Sequence, residues 1–163
     1  MSIKVLAGFP GVGKSFLKIY FEKNDLGEVS DSDSSFFSWL KPGVRNPDFP
    51  ENYITHIKER TLDSAFVLVS THEIIRKALI AHGIEFALIY PERKLKKEYL
   101  LRYVTRNSPF EFVSLMNRKW DDFIDEMEAQ EGCVKIVLEK GETLRSIAGD
   151  VKWAALFPKV ATE

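Results

Sequence analysis

The chain has 163 residues, of which 45% are hydrophobic and 12% aromatic, enough for one domain with a substantial core. Its 23 basic and 24 acidic residues give a net charge of −1, which excludes a positive field over the whole surface, so any nucleic-acid contact would be local. Cys133 is the only cysteine, which excludes an intramolecular disulfide and a zinc site of several cysteines.

The sequence also bears on location. No stretch approaches the roughly 18–20 consecutive apolar residues of a membrane span, so we expect no membrane partner. The first residues predict a strand that contains Lys4 rather than a secretory signal. We therefore expect a cytoplasmic protein that forms a single domain over residues 1–163.

A short apolar run near the start of the chain leads into a glycine-rich segment. Residues 3–7 predict a strand, and residues 8–15 read Gly-Phe-Pro-Gly-Val-Gly-Lys-Ser. This octet matches the phosphate-binding loop pattern G-x-x-x-x-G-K-[ST] at every fixed position. The alternative is a glycine-rich turn that binds nothing, but the motif lies between a predicted strand and a predicted helix, which is the context that nucleotide binding requires.

Each fixed residue of this motif has a chemical role. The glycines allow consecutive N–H groups to surround an anion, and the start of the following helix directs its unpaired N–H groups to the same place. Lys14 supplies a positive charge for the outer phosphates, and the Ser15 hydroxyl is a ligand for Mg²⁺. The predicted cofactors are therefore ATP and Mg²⁺. The predicted ATP-binding residues are Gly8, Gly11, Val12, Gly13, Lys14, Ser15 and Phe16.

The rest of the chain alternates predicted helices and strands. Strands are predicted at residues 28–30, 65–69, 85–90 and 134–138. Helices are predicted at about residues 14–23, 36–40, 51–60, 73–81, 94–106, 109–130 and 142–147, with a loop at 41–50. Because most of the strands are apolar throughout, they predict a three-layer α/β/α fold with roughly five parallel strands. The apolar tail with Trp153, Leu156 and Phe157 is expected to pack within the same chain.

Ligand chemistry collects beyond the carboxyl ends of parallel strands, and two carboxylates lie there after the second strand. Asp31 and Asp33 suit two tasks of phosphoryl transfer, which are to bind Mg²⁺ and to orient or deprotonate an acceptor hydroxyl. The alternative is a helix cap rich in Ser and Asp. Beside a phosphate loop we favour function, with Asp31 and Ser15 on the metal and Asp33 on the acceptor.

The loop at residues 41–50 contains Arg45 and follows three aromatic residues, Phe36, Phe37 and Trp39. These side chains suit a pocket for an acceptor base, with Arg45 on an acceptor phosphate, although aromatic residues at this spacing are commonly core. We take Phe36 and Arg45, together with the second carboxylate, as candidate acceptor-binding residues.

The phosphate loop followed by Asp-Ser-Asp resembles the P-loop kinases of small acceptors. Shikimate kinase and its relatives carry an Asp-x-Asp at this point, with the first Asp near the metal and the second on the substrate hydroxyl, and polynucleotide kinases also place a catalytic Asp there. Residues 8–15, 31–35 and 45–54, together with Tyr90-Pro91, are similar to small phage-encoded P-loop proteins related to nucleoside monophosphate kinases. The resemblance spans most of the chain.

This resemblance implies a P-loop kinase fold with an acceptor-binding insertion at residues 36–60 and a short helical lid at residues 92–110. Lid arginines of such kinases close on the transferring phosphoryl group. Arg102 and Arg106, one turn apart on a basic helix, are therefore candidate catalytic residues, and Arg93 is a weaker candidate. The alternative is a solvated basic helix face. A phage origin would place the protein in the host cytoplasm.

One departure from related motifs is informative. The strand that ends at residue 69 is followed by Ser70, Thr71 and His72, without the aspartate of a Walker B motif. This disfavours a hydrolysing ATPase but suits a kinase whose metal carboxylate comes from another strand. His72 is a possible base, although a histidine that bonds nearby backbone at a helix start is the more ordinary interpretation.

Together these features predict a P-loop kinase that transfers the γ-phosphoryl of ATP to a small acceptor, with a nucleotide or nucleoside favoured. The predicted catalytic residues are Lys14, Asp33, Arg102 and Arg106. Two alternatives stay open: a kinase of a nucleic-acid hydroxyl, such as a DNA or RNA end or a modified base, and a non-catalytic ATP-binding module. The sequence leaves the oligomeric state and the acceptor open.

Overall fold

The computed structural model describes residues 2–157. Its strands are β1 (Val5–Gly8), β2 (Val29–Asp31), β3 (Trp39–Lys41), β4 (Val44–Arg45), β5 (Phe66–Val69), β6 (Phe86–Pro91) and β7 (Val134–Leu138). Its α-helices are α1 (Lys14–Lys23), α2 (Ser35–Ser38), α3 (Glu51–Asp63), α4 (Glu73–Ala81), α5 (Lys96–Thr105), α6 (Phe110–Ala129) and α7 (Leu144–Ile147). Short 3-10 turns occur at Arg93–Leu95 and Trp153–Leu156.

Five of the strands form one parallel sheet in the order β2-β5-β1-β6-β7. The central strand β1 pairs with both of its neighbours, and Val5 lies opposite Val67 on one side and Phe86 on the other. Every residue of β1, β5 and β6 is buried. Such strands need cover on both faces, and this confirms the predicted α/β fold with a five-stranded parallel sheet.

The helices cover the sheet in two layers. The chain runs from β1 outward to β2 and then returns across the sheet through β5 and β6 to β7. Because crossovers are right-handed, this reversal places α1 on one face and α3, α4 and α6 on the other. In agreement, α1 contacts α7, whereas α3 contacts α4. The reversal leaves the carboxyl ends of β1 and β2 on either side of β5, which is where the phosphate loop and the acidic segment lie.

The segment after β2 differs from its prediction. The helix expected at residues 36–40 ends at Ser38, and the next residues form β3, which pairs antiparallel with β4 inside the loop expected at residues 41–50. Trp39 and Leu40 therefore belong to a strand, so the helix prediction was wrong at these positions. Gly43, with φ of 80°, follows Pro42 at the tip, and this Pro-Gly pair favours a chain reversal.

The end of the described chain packs on its own domain, as expected. The Ile3 amide donates to the Leu156 carbonyl at 2.8 Å, and the Trp153 ring packs on Phe66 with 5.1 Å between ring centroids. Phe157 is half exposed. The predicted domain range also includes residue 1 and residues 158–163, which lie outside the described residues. Within residues 2–157, no helix is both long and apolar enough to cross a membrane.

Candidate nucleotide and acceptor site

The phosphate-binding motif forms the turn between β1 and α1. The Phe9 amide donates to the Ile89 carbonyl at 2.9 Å, which fixes the start of the loop to β6. Gly11 and Gly13 have φ values of 92° and 94°, a conformation that other residues rarely adopt. Gly13 directly precedes α1, so the first N–H groups of this helix are free for an anion.

The loop between β7 and α7 packs against the other side of this turn. The Leu144 amide donates to the Val12 carbonyl at 2.9 Å. A Cβ atom on Gly13 would lie 3.1 Å from the Cβ of Thr143, so a larger residue would have to displace Thr143 by a few tenths of an ångström and would also be strained at the φ of 94°. The sequence motif does not reveal this contact, because the partner lies at the far end of the chain.

An open cavity of about 840 Å³ lies between the phosphate loop and α5. This volume falls within the range of ligand pockets, roughly 300–1,000 Å³. Six of its lining residues were predicted as ATP or metal ligands: Gly11, Gly13, Lys14, Ser15, Phe16 and Asp31. Arg102 on α5 and Arg106, the residue directly after this helix, also line the cavity. Residues that the sequence analysis missed also line it, namely Glu98, Leu101, Thr105, Lys140 and Gly141.

The charged groups around the phosphate loop affect the pKa of Lys14. Its Nζ donates to the Gly8 carbonyl at 3.2 Å. Burial lowers the pKa of Lys14, the carboxylates of Asp31 and Asp33 act to raise it, and the charge of Arg106 acts to lower it. The structure therefore brings together the loop lysine, both predicted carboxylates and one predicted lid arginine.

The two carboxylates differ in their surroundings. Asp31 ends β2 and faces the cavity. Asp33 Oδ1 accepts a hydrogen bond from the Ser35 amide at 2.9 Å, so one of its oxygens does cap the first turn of α2. Within residues 2–157, Oδ2 makes no hydrogen bond, which leaves it available to an acceptor.

A network of hydroxyl and ring groups supports the acidic segment from below. Ser32 Oγ lies 2.9 Å from His56 Nε2, and the Tyr53 hydroxyl donates to the Ser32 carbonyl. Ser70 Oγ donates to Ser34 Oγ at 3.2 Å, which links the ends of β5 and β2. These bonds join the segment to α3 and to β5, and their residues were not predicted to support the site.

The three arginines considered for the lid lie in different environments. Arg102 Nη1 donates to the Gly11 carbonyl at 2.8 Å. Arg106 Nε donates to Ser108 Oγ at 3.0 Å, and its guanidinium lies 5.1 Å from the centre of the Tyr103 ring. Arg93 is not among the residues that line the cavity.

Arg93 forms an ion cluster with α6. Its guanidinium lies 3.1 Å from an Asp121 carboxylate oxygen, 2.5 Å from Asp125 and 3.3 Å from Glu128. Arg93 is therefore paired with α6 and is not among the residues that line the cavity, and its weaker lid assignment stays a prediction. The acidic partners lie about 30 positions further along the chain, which explains why the sequence pattern did not reveal them.

Of the three aromatic residues considered for an acceptor pocket, Phe37 packs against α3, whereas Phe36 and Trp39 are exposed. Phe37 packs against His56 and Tyr53, with ring centroids 4.7 and 5.2 Å apart. Phe36 is 81% exposed, so this structure gives it no enclosed pocket. The Arg45 guanidinium lies 4.1 Å above the Trp39 ring on the β3–β4 hairpin. A stacked guanidinium keeps its N–H edge free, which suits an acceptor phosphate.

His72 faces the same region from the start of α4. Its side chain makes no capping hydrogen bond there, contrary to the ordinary interpretation. Partial burial and the charge of Lys14 lower its pKa, Asp33 raises it, and Arg45 also lowers it. The histidine is therefore near the groups predicted for the donor and for the acceptor, and it favours the neutral form.

Comparisons with known proteins give a fold relationship. No protein-family model matches the sequence, and no curated protein matches it. A gluconokinase from Sinorhizobium meliloti 1021 has a similar structure, with a TM-score of 0.50 and 16% identity over 95% of this chain and 89% of that chain. An uncharacterized protein from Eubacterium ventriosum ATCC 27560 gives a TM-score of 0.44 and 15% identity over 90% of this chain and 93% of that chain. The similarity to the gluconokinase shows that the chain has the α/β fold of P-loop kinases.

Proposed function

We propose that this protein transfers the γ-phosphoryl group of ATP, with Mg²⁺, to a small acceptor, and that the acceptor is a nucleotide or nucleoside. The observation that carries the proposal is that Lys14, Asp31 and Arg106 line one cavity, with the Asp33 carboxylate close enough for its charge to act on Lys14. Phosphoryl transfer needs little more than positioned phosphates, charge neutralisation and a placed acceptor.

The cavity offers separate places for the parts of ATP. The phosphate loop and Lys14 bind the β- and γ-phosphates, and the Ser15 hydroxyl and Asp31 carboxylate supply oxygen ligands for Mg²⁺. When bound, Mg²⁺ neutralises charge on the outer phosphates. Leu101 and the Lys140–Gly141 segment line the same cavity, and we assign the nucleoside part of ATP to them.

The reaction forms a bond from an acceptor oxygen to the γ-phosphorus and breaks the bond from that phosphorus to the β–γ bridging oxygen, which releases ADP. With a hydroxyl acceptor, its proton passes to Asp33 Oδ2. With a phosphate acceptor, no proton moves, Asp33 orients the acceptor, and Arg45 binds its phosphate. Arg106 stabilises the charge on the transferring group.

Nucleotide binding is tested first, with isothermal titration of Mg·ATP into the ligand-free protein. Lys14→Ala should weaken binding at least tenfold, because it removes the only lysine of the phosphate loop. Lys23→Ala is the matched control, since Lys23 is exposed in the last turn of the same helix. Equal affinities for the Lys14 variant and wild type would exclude the proposed donor site.

The role of Asp33 is tested by Asp33→Asn, which keeps the hydrogen bond to the α2 turn through its amide oxygen. With a hydroxyl acceptor, we expect turnover to fall at least 100-fold while ATP affinity stays within twofold. Unchanged turnover would exclude Asp33 as the base. Asp25→Asn, on the loop that follows α1, controls for the loss of one negative charge.

A second candidate function is favoured by the β3–β4 hairpin. Leu40, Lys41 and Arg45 of the hairpin are exposed, as is Phe36, and residues 34–47 contain no acidic side chain. Stacking and basic groups of this kind suit a single nucleic-acid strand that presents a hydroxyl to Asp33. Turnover with a DNA or RNA oligonucleotide and none with free nucleosides or nucleotides would favour this function.

A further inference from the structure

Helix α5 lies directly on the outside of the phosphate loop and donates hydrogen bonds to two consecutive carbonyl groups of it. The Tyr103 hydroxyl donates to the Pro10 carbonyl at 2.7 Å, and Arg102 Nη1 donates to the Gly11 carbonyl at 2.8 Å. The partners lie 93 and 91 positions apart in the chain. The two bonds therefore connect the predicted lid helix to the loop.

The chemistry of a phosphate loop explains why these bonds matter. Such a loop directs its N–H groups at the anion, so its carbonyl groups need other partners. The rings on α5 also restrict the loop sterically. A Cβ atom on Gly11 would lie 3.0 Å from the Tyr99 ring and 3.1 Å from the Tyr103 ring, and both tyrosines are fully buried.

We propose that the Tyr103 hydroxyl and the Arg102 guanidinium are positioning groups that keep the phosphate loop in its anion-binding conformation. Arg106 is then the only one of the two predicted lid arginines that acts on the transferring phosphoryl group. The consequence for ATP rests on the function proposed above, whereas the effect on the loop does not.

The surroundings of the two arginines differ in the way that this division requires. Arg102 is committed to the Gly11 carbonyl, and its guanidinium lies 4.3 Å above the Tyr99 ring. Within residues 2–157, the Nη groups of Arg106 make no hydrogen bond, and Arg106 lines the same cavity as Lys14. A free guanidinium edge beside the loop lysine suits a phosphoryl group in transfer.

The same helix supplies a matched control. Tyr99 and Tyr103 are both fully buried on α5 and both contact the space beside Gly11, but within residues 2–157 the Tyr99 hydroxyl makes no hydrogen bond to the phosphate loop. Tyr99→Phe and Tyr103→Phe each remove one buried hydroxyl and keep the ring. Only the second removes a bond to the phosphate loop.

The first test is hydrogen exchange of the Val12 amide in the ligand-free protein, because this N–H of the phosphate loop donates to the Phe9 carbonyl at 3.2 Å. Tyr103→Phe should speed this exchange about fivefold, the change that corresponds to the loss of one neutral hydrogen bond of about 1 kcal/mol. Tyr99→Phe should leave it unchanged. Equal exchange in the two variants would overturn the positioning role. Because no nucleotide is present, this result stands whether or not the protein binds ATP.

The second test separates binding from turnover. Tyr103→Phe and Arg102→Met should raise the KM for Mg·ATP about fivefold or more with kcat within twofold of wild type. Arg106→Met should lower kcat at least 100-fold. A kcat loss for Arg102→Met as large as that for Arg106→Met would overturn the division of roles. Lack of any Lys14-dependent ATP binding would instead refute the proposed function and leave the exchange result as the test of the clamp formed by Tyr103 and Arg102.

Discussion

Replacement of Gly11 by alanine perturbs the contact between the phosphate loop and α5 at a single atom. The new Cβ would meet the Tyr99 ring at 3.0 Å and the Tyr103 ring at 3.1 Å. Neither ring is free to move, because Tyr99 packs against Phe9 and Tyr103 packs against Phe112 in edge-on contacts. The substitution therefore forces the loop, α5 or both to shift.

Two effects add to the cost. The φ of 92° at Gly11 costs an L-residue about 1–2 kcal/mol, and overpacking against fixed rings costs about 1–3 kcal/mol. We expect Gly11→Ala to lower the free energy of unfolding by about 2–5 kcal/mol in total. Gly43→Ala is the matched control, because Gly43 has a φ of 80° but a Cβ there would meet no atom within 4 Å. It should cost only the backbone strain, about 1–2 kcal/mol.

Urea unfolding at constant pH measures both variants against wild type, and thermal unfolding checks the order at roughly 2–4 °C per kcal/mol for a domain of this size. The steric contribution is the difference between the two variants, expected at about 1–3 kcal/mol. Equal destabilisation by Gly11→Ala and Gly43→Ala would refute the close contact between the loop and α5.

Further predictions concern other parts of the molecule. Burial lowers the pKa of His56 below its ordinary value of 6.5, so the unfolded chain binds this proton more tightly and the free energy of unfolding should fall as the pH drops below about 6.5. His56→Gln should reduce this pH dependence in urea unfolding from pH 5.5 to 7.5. An identical pH dependence in the variant would contradict the lowered pKa of His56. Arg76 is buried and donates to the Thr71 carbonyl at 2.8 Å, so Arg76→Ala should lower the free energy of unfolding by about 1–3 kcal/mol. Lys77→Ala removes an exposed ion pair and should change it by less than about 0.5 kcal/mol. Similar losses in the two variants would contradict the structural role of Arg76. Trp39 is 39% exposed, whereas the other two tryptophans are at most 9% exposed. An acceptor that binds beside the hairpin should therefore quench tryptophan fluorescence in wild type and not in Trp39→Leu. Quenching that persists in the variant would place the acceptor elsewhere.

The fold could be predicted, and the residues of the candidate donor site could be identified, because their signals are local. Apolar runs separated by helical patterns determine a parallel sheet, and the fixed residues of the phosphate loop are adjacent in the chain. Asp31 and Asp33 were found because they follow a strand whose end had to lie beside that loop. The position of a residue directly after a parallel strand was therefore enough to predict that these carboxylates lie near the phosphate loop.

The remaining features depend on contacts between distant segments. Nothing in the local pattern distinguishes Arg102 from Arg106, and only the structure shows that the first is bonded to Gly11, 91 positions away. The ion pairs of Arg93 could not be predicted for the same reason, since its acidic partners lie on another helix. The hairpin at Trp39 was not predicted because a short aromatic run is compatible with either a helix or a strand. Only the position of the turn at Pro42-Gly43, which the structure shows, identifies the strand.

The most direct measurement is transfer of labelled γ-phosphoryl from Mg·ATP to acceptors, with ADP release followed in parallel. The acceptor panel contains nucleosides, nucleoside monophosphates, DNA and RNA ends and small polyols, and Lys14→Ala is the blank. We expect ADP release that depends on one acceptor class, with the label in that acceptor, and no release by the variant. Tight ATP binding without label transfer to any acceptor would contradict a kinase and indicate a nucleotide-binding module.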